Sequence, residues 1–285
     1  MKKIRTLSLL IVVGLMVGPE LAIAGDGTEL VVFAAASLRG SFEALVPPFE
    51  KAHPGTKVRL NLAGSQELRT QIEQGARADV FAAADLKNMA ALQQARLIRA
   101  PEIFARNQPV IVVPRANPAG IHGLSDLPKT KRLVIGAPEV PIGGYTVKIF
   151  DAAAKKYGAA FRTKLDAAVV SRELNVRQVL AKVTLGEADA AIVYKTDAQA
   201  AQDKVDVIPI PADLNVQAEY PIAVVAAAKQ AELARAWVQL VLSSEGLRRL
   251  ADQGFMPPAV PPSAAHKMTT SVAPASSAPA QAPAR

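Results

Sequence analysis

The chain has 285 residues, half of them hydrophobic and a fifth charged, so it can bury a core, and wholesale disorder is excluded. It has no cysteine, which excludes disulfide scaffolds, thiolate metal sites and thiol nucleophiles, and its three histidines (His53, His122, His266) are too scattered to build a metal site. The net charge of +8 is carried by singly spread residues, with no dense Lys/Arg stripe interleaved with aromatics, so no nucleic-acid partner is expected.

At the N-terminus, Lys2, Lys3 and Arg5 precede an apolar stretch from Leu7 to Val17, and Ala22-Ile23-Ala24 is an A-x-A cleavage pattern. This is the layout of a secretory signal over residues 1–24, with a mature start at Gly25. The alternative is an uncleaved membrane anchor, for which the apolar stretch is short. No later segment offers 18 consecutive apolar residues, so no stable membrane insertion is expected after cleavage.

Leu30 to Ala34 is a continuous apolar run, the pattern of a strand buried on both faces. Phe42, Leu45, Val46 and Phe49 give residues 41–52 a helical spacing, with Pro47 and Pro48 expected to kink or split it. A short strand follows at Val58 to Leu62. Ser65 to Gln74 is a helix ended near Gly75, and Asp79-Val80-Phe81 is another buried strand. Asp85 caps the helix Leu86 to Ala95. Strands are expected at Val110 to Val113 and at Leu133 to Ile135, the latter leading into a loop over Gly136 to Gly144. Val147 to Tyr157 is a helix, Ala168 to Val170 a strand and Val176 to Leu185 a helix. Ala190 to Val193 is a strand and Asp197 to Gln202 a short helix. Val205 to Ile210 and Ile222 to Ala226 are strands, and Glu232 to Leu242 and Glu245 to Asp252 are closing helices. From Pro261 to Arg285 the composition is dominated by Ala, Pro and Ser, which cannot bury enough surface to offset ordering entropy, so a disordered tail is expected at 261–285.

This alternation of strands and helices predicts an α/β protein with mostly parallel sheets flanked by helices. The strands are too many for one comfortable sheet at this length, so two lobes are expected.

In open α/β sheets, ligands sit beyond the carboxyl ends of strands, where helices begin. Ser37 follows the first strand, and Ser65 follows the second. The stretch Val140-Pro141-Ile142-Gly143-Gly144-Tyr145 precedes a helix, Asn175-Val176-Arg177 opens another, and Tyr194 ends the strand Ala191-Ile192-Val193. Helix N-termini present unpaired N–H groups and about half a positive charge, and hydroxyls add donors that rotate to suit a ligand. Together these features suit an anion held by neutral donors. Each alone also fits an ordinary role: Ser37 or Ser65 as a helix cap, Gly143-Gly144 as a plain turn, Tyr194 as a packing residue. Arg39 and Arg177 fall near the proposed cleft, as solvent-facing charges that steer anions or as direct contacts. An exported hydrolase is disfavoured, because no G-x-S-x-G elbow and no H-E-x-x-H set is present, and no catalytic residue is assigned.

The stretches Phe33-Ala34-Ala35-Ala36-Ser37-Leu38, Gly64-Ser65 with Gln71 to Ala76, Ala78-Asp79-Val80-Phe81 with Ala84-Asp85, Asn175-Val176-Arg177, Ala191-Ile192-Val193-Tyr194 and Glu219-Tyr220-Pro221 carry a resemblance. From about Leu30 to Phe255 the chain resembles the periplasmic molybdate-binding proteins of ABC importers, a branch of the type II periplasmic binding fold. The resemblance implies a two-lobed fold with the ligand between the lobes: lobe 1 at 26–108 plus 221–260, lobe 2 at 109–220, with hinge closure around the ligand. It implies that Ser37, Ser65 and Tyr194 contribute hydroxyls and that Ile142 and Val176 contribute backbone N–H groups to a molybdate or tungstate oxyanion, with no direct ligand to the metal. It further implies a monomer in the periplasm that needs no cofactor, is not an enzyme and docks on an ABC transporter permease. Gly64-Ser65-Gln66 carries one hydroxyl fewer than the serine-rich loop of some members, so sulfate or another small oxyanion stands as the alternative ligand. A ligand-sensing domain is a further alternative, against which the lack of a DNA-binding segment argues.

Overall fold

A computed structural model describes residues 27–259. The expected signal segment and C-terminal tail lie outside the described residues. Strand β1 (Thr28–Ala35) runs into a 3-10 turn (Ala36–Leu38) and helix α1 (Arg39–Ala52), followed by β2 (Thr56–Ala63), α2 (Ser65–Glu73), β3 (Val80–Ala82), α3 (Leu86–Gln94) and β4 (Ile98–Asn107). The second half begins with β5 (Pro109–Pro114), a 3-10 turn (Leu124–Lys129) and β6 (Leu133–Gly136). It continues through α4 (Pro141–Tyr157), α5 (Ala159–Ala168), β7 (Val169–Glu173), α6 (Val176–Thr184), β8 (Ala190–Tyr194), α7 (Lys195–Gln199) and β9 (Val205–Ile208). Strand β10 (Ala218–Val225) and helices α8 (Ala231–Leu242) and α9 (Ser244–Asp252) complete it.

Among the described residues the strands form two five-stranded sheets, in the orders β2-β1-β3-β10-β4 and β7-β6-β8-β5-β9. The two orders follow one scheme. In each sheet four strands share a direction, and the fourth in the order, β10 or β5, runs against its two neighbours. The reversed strand is the one the chain uses to enter that sheet from the other. The first passage is a single residue, Gln108, between β4 and β5, and the second is the segment 209–217 between β9 and β10. The expected two-lobed α/β architecture is therefore present.

The apolar run of β1 is buried on both faces. Leu30, Val32 and Ala34 face a core shared with Phe42, Leu45 and Phe49 of α1 and Trp237 of α8, while Val31 and Phe33 pack with Leu68 and Ile72 of α2 and Phe81, Met89 and Leu92. This is the period-two alternation of a strand with helices above and below. Edge-on aromatic contacts link Phe42 and Phe49 to Trp237, and Tyr220 to Phe104 and Phe255.

Several local expectations are corrected. Pro47 and Pro48 do not split α1, which runs unbroken from Arg39 to Ala52. Pro48 has no N–H for the carbonyl of Ala44, and the Arg249 guanidinium of α9 donates to that oxygen at 3.3 Å. Helix α4 begins at Pro141, six residues before the expected Val147, so much of the expected loop is helix. Proline at the first helical position is pre-organised for helix entry, and the Gly143-Gly144 pair, read as a turn, lies in the first turn of the helix. Strand β4 and helix α5 had no counterpart in the sequence reading. Strand β4 is an edge strand with Pro101 inside it and register shifts against β10, a composition that hides a strand. Among the described residues no helix is long and apolar enough to cross a membrane.

Candidate functional site

The parallel strands of both sheets end at one shared cavity. Strand β1 delivers Ser37, in a 3-10 turn whose start has no side-chain cap. Strand β2 delivers Ser65 as the first residue of α2, with Gly64 in the cap position. From the other half, β6 leads to Val140, which precedes α4 without a side-chain cap and is followed by Pro141 and Ile142. Strand β7 leads to Val176 at the start of α6, where the Asn175 side chain accepts from the amide of Gln178 at 3.1 Å. Strand β8 ends in Tyr194. Ser37, Ser65, Ile142, Val176 and Tyr194, chosen from sequence, all line this one cavity and all are buried. Among the described residues no charged side chain lines it.

The polar groups here are arranged as donors. The first amides of a helix have no partner within it, and α2 and α4 supply no side chain in their place. The Ser65 hydroxyl oxygen accepts from the Ala84 amide at 3.0 Å, so its proton is free to point elsewhere. Ser65 therefore does not act as a cap. The Ser37 hydroxyl lies 3.0 Å from the Tyr220 hydroxyl. The Tyr194 hydroxyl is buried and has no hydrogen-bond partner among the described residues. Burial pushes the phenols of Tyr194 and Tyr220 well above the usual tyrosine range, which keeps both protonated at neutral pH. A buried orphan hydroxyl is uncommon, because leaving a polar group unpaired away from water costs about 1–3 kcal/mol.

Behind the cavity lies Asp197, fully buried in α7, with its nearest cation the Arg177 guanidinium 3.4 Å away. Burial raises the Asp197 carboxyl to about 6, against the opposing pull of Arg177 and of the Tyr194 backbone. Arg177 is thus committed to Asp197, and Arg39 to Glu43 at 3.0 Å, and neither arginine lines the cavity.

Two hydrogen bonds tie the halves together at the rim. The Gln66 carboxamide donates to the Leu174 carbonyl at 2.8 Å, and the Tyr145 hydroxyl donates to the Ala84 carbonyl at 3.3 Å. Burial, and then the charge of Asp85, raise the Tyr145 phenol above its ordinary range. Sequence reasoning assigned no role to Tyr220, Gln66, Tyr145 or Ala84. All four lie in stretches that the sequence singled out, Gly64-Ser65-Gln66, Ala84-Asp85, Val140 to Tyr145 and Glu219-Tyr220-Pro221, but without a role of their own. Each makes its contact across a long separation, 183 residues for Ser37 and Tyr220, which no local pattern reveals.

Residues 30–256 match the family described as bacterial extracellular solute-binding protein. The chain is 40% identical over 232 residues to the molybdate-binding protein ModA of Mycobacterium tuberculosis, which covers 81% of this chain and 85% of that protein. Among solved structures, the periplasmic molybdate-binding protein of Azotobacter vinelandii superposes with a TM-score of 0.70 at 19% identity, covering 80% of this chain and 99% of its own. The sulfate-binding protein SubI of Mycobacterium tuberculosis superposes with a TM-score of 0.73 at 20% identity, covering 81% and 87%. At those identities both structures speak for the fold. With a family match along nearly the whole described chain, the chain belongs to the bacterial extracellular solute-binding protein family.

Proposed function

We propose that this protein captures molybdate, and tungstate with it, outside the cytoplasm and delivers the oxyanion to the permease of an ABC importer. The observation that carries this reading is an uncharged, buried cavity into which three hydroxyls and the starts of three helices converge, with the Tyr194 hydroxyl unpartnered. Charge-assisted hydrogen bonds contribute roughly 1.5–3 kcal/mol each, so a handful of them offsets the lost hydration of a small dianion without a buried lysine or arginine. A donor-only cage has nothing to accept a proton from the ligand, which favours a fully deprotonated tetrahedral anion. The 40% identical relative being a molybdate-binding protein supports this choice among oxyanions.

In this reading Ser37, Ser65 and Tyr194 donate through hydroxyls, and Ile142 and Val176 through backbone N–H groups. The molybdenum centre has no direct protein ligand, and no cofactor or catalytic residue is involved. The two passages between the sheets act as the hinge. The signal segment exports the chain to the periplasm, where it works as a monomer.

Calorimetric titration of the purified protein with molybdate, tungstate, sulfate and phosphate tests the reading. Molybdate and tungstate should bind tightly, and Ser37→Ala and Ser65→Ala should each weaken them by about 1.5–3 kcal/mol. Tight sulfate binding with no response to molybdate would overturn the choice of ligand, and unaltered affinity in both variants would move the site elsewhere.

A further inference from the structure

We infer that Tyr220, with Asn107 behind it, is a positioning residue that sets which way the Ser37 hydroxyl points. The inference rests on the oxyanion reading of the cavity and adds a layer beneath it. The two serines of the site are held differently. Ser65 is fixed by a group that can only donate, the Ala84 amide, so the Ser65 proton is left for the cavity. Ser37 faces another hydroxyl, Tyr220, at 3.0 Å, and either oxygen can be the donor. If Ser37 donates to Tyr220, it turns a lone pair toward an anion. If Tyr220 donates to Ser37, the Ser37 proton is free for the ligand. The site works as a donor cage only in the second arrangement.

The surroundings of Tyr220 select that arrangement. Tyr220 is fully buried on β10, and among the described residues Ser37 is the hydrogen-bond partner of its hydroxyl; the buried Asn107 side chain stands at the end of β4. The Gln108 amide donates to the Asn107 carbonyl oxygen at 2.9 Å, which fixes the amide group of Asn107 as the donor end. That amide donates to the Thr196 hydroxyl at 2.9 Å, and in the proposed relay its second N–H serves the Tyr220 oxygen. A buried phenol whose acceptor among the described residues is the Ser37 oxygen gives its proton to Ser37. The chain of donors therefore starts at the Gln108 backbone N–H, at the passage between the sheets. It runs through Asn107 and Tyr220 and ends at Ser37. Each bond in such a chain polarises the next.

The test is calorimetric titration with molybdate of the wild-type protein, Tyr220→Phe, Ser37→Ala and the double variant, with ligand-free thermal unfolding as the control for folding. Tyr220→Phe keeps the ring and removes the donor, and should weaken molybdate binding about tenfold. Because Tyr220 acts through Ser37, the double variant should bind like Ser37→Ala alone, to within about twofold. An unchanged affinity in Tyr220→Phe, or a full extra tenfold loss on top of Ser37→Ala, would overturn the inference. Asn107→Asp supplies a second handle if Tyr220→Phe folds poorly. It keeps the acceptor for Gln108 but draws the Tyr220 proton to itself, so its loss of affinity should shrink sharply once Ser37 is absent. A loss of equal size with and without Ser37 would mark a charge effect alone and overturn the relay. A wild-type protein that ignores molybdate would instead overturn the ligand reading, which keeps the two failures apart.

Discussion

The Gln66 side chain and the Leu174 carbonyl, 108 residues apart and on opposite halves of the molecule, are joined by a 2.8 Å hydrogen bond beside the cavity. Gln66 follows Ser65, and Leu174 precedes Asn175 and Val176, so the bond links two loops of the site directly. Gly64 makes room for it: a Cβ there would lie 2.5 Å from the same Leu174 oxygen. The bond can exist only when the halves meet, so its loss falls on ligand release rather than on capture. Gln66→Ala should raise the molybdate off-rate about three- to tenfold, in line with a neutral hydrogen bond, and leave the on-rate nearly unchanged. Stopped-flow release kinetics would check this, and an unaltered off-rate would show that the contact does not hold the halves.

The two glycines at the start of α4 should respond in opposite ways. A Cβ on Gly143 would sit 1.9 Å from the Ala137 carbonyl oxygen and 2.5 Å from that of Gly136, so the helix must move away from the β6 turn. Gly143→Ala should cost about 1–3 kcal/mol of stability and shift Ile142 within the site. On Gly144 a Cβ meets nothing closer than the Pro138 oxygen at 3.4 Å, and alanine there should be neutral or stabilising by up to about 1 kcal/mol. Urea unfolding of the pair would test this, and equal effects would refute the close-approach account.

Much of this was legible in the sequence because the signals were local. The alternation of Leu30 to Ala34 showed a doubly covered strand. Small or hydroxyl residues placed just after strands marked Ser37 and Ser65, and Asp85 and Asn175 announced the helices they cap at α3 and α6. What stayed hidden depends on partners far along the chain. The proline pair in α1 is tolerated with help from Arg249, and β4 is a strand through pairing with β10. Tyr220 was hidden for the same reason. The Gly-Gly dipeptide resembled a turn for a different reason: its constraint is the close approach of the Ala137 carbonyl just upstream, which composition does not show.

Asp197 gives the fold a defined pH dependence. Its carboxyl titrates near 6 in the folded protein against an ordinary value of 3.8. A carboxyl raised on folding is protonated more readily in the native state, so stability falls as pH rises from about 4 to about 6 and the loss is complete above that. The penalty at neutral pH is about 3 kcal/mol by this measure. Asp197→Asn should therefore stabilise the ligand-free protein at pH 7.5, by less than that amount because the Arg177 pair is lost. The gain should disappear as pH approaches 4. Unfolding free energies at pH 7.5 and 4.5 would decide, and a gain independent of pH would mean that folding does not raise the Asp197 carboxyl above its ordinary value.

Tyr194 separates binding from folding. Its ring packs edge-on against Tyr145 and Tyr220, with centroids 6.3 and 5.8 Å away, while its hydroxyl has no partner among the described residues. Tyr194→Phe keeps the ring contacts and removes a desolvated group that contributes nothing to the ligand-free fold. Stability without ligand should be unchanged or slightly higher, since deleting an unpaired buried hydroxyl relieves its desolvation cost. Binding should weaken by about 1.5–3 kcal/mol, the loss of one hydrogen bond to a charged ligand. The same loss should appear as a smaller rise in melting temperature on adding molybdate, because ligand stabilisation follows affinity by mass action. A lower ligand-free melting temperature with undiminished affinity would instead assign the hydroxyl to packing and remove it from the site.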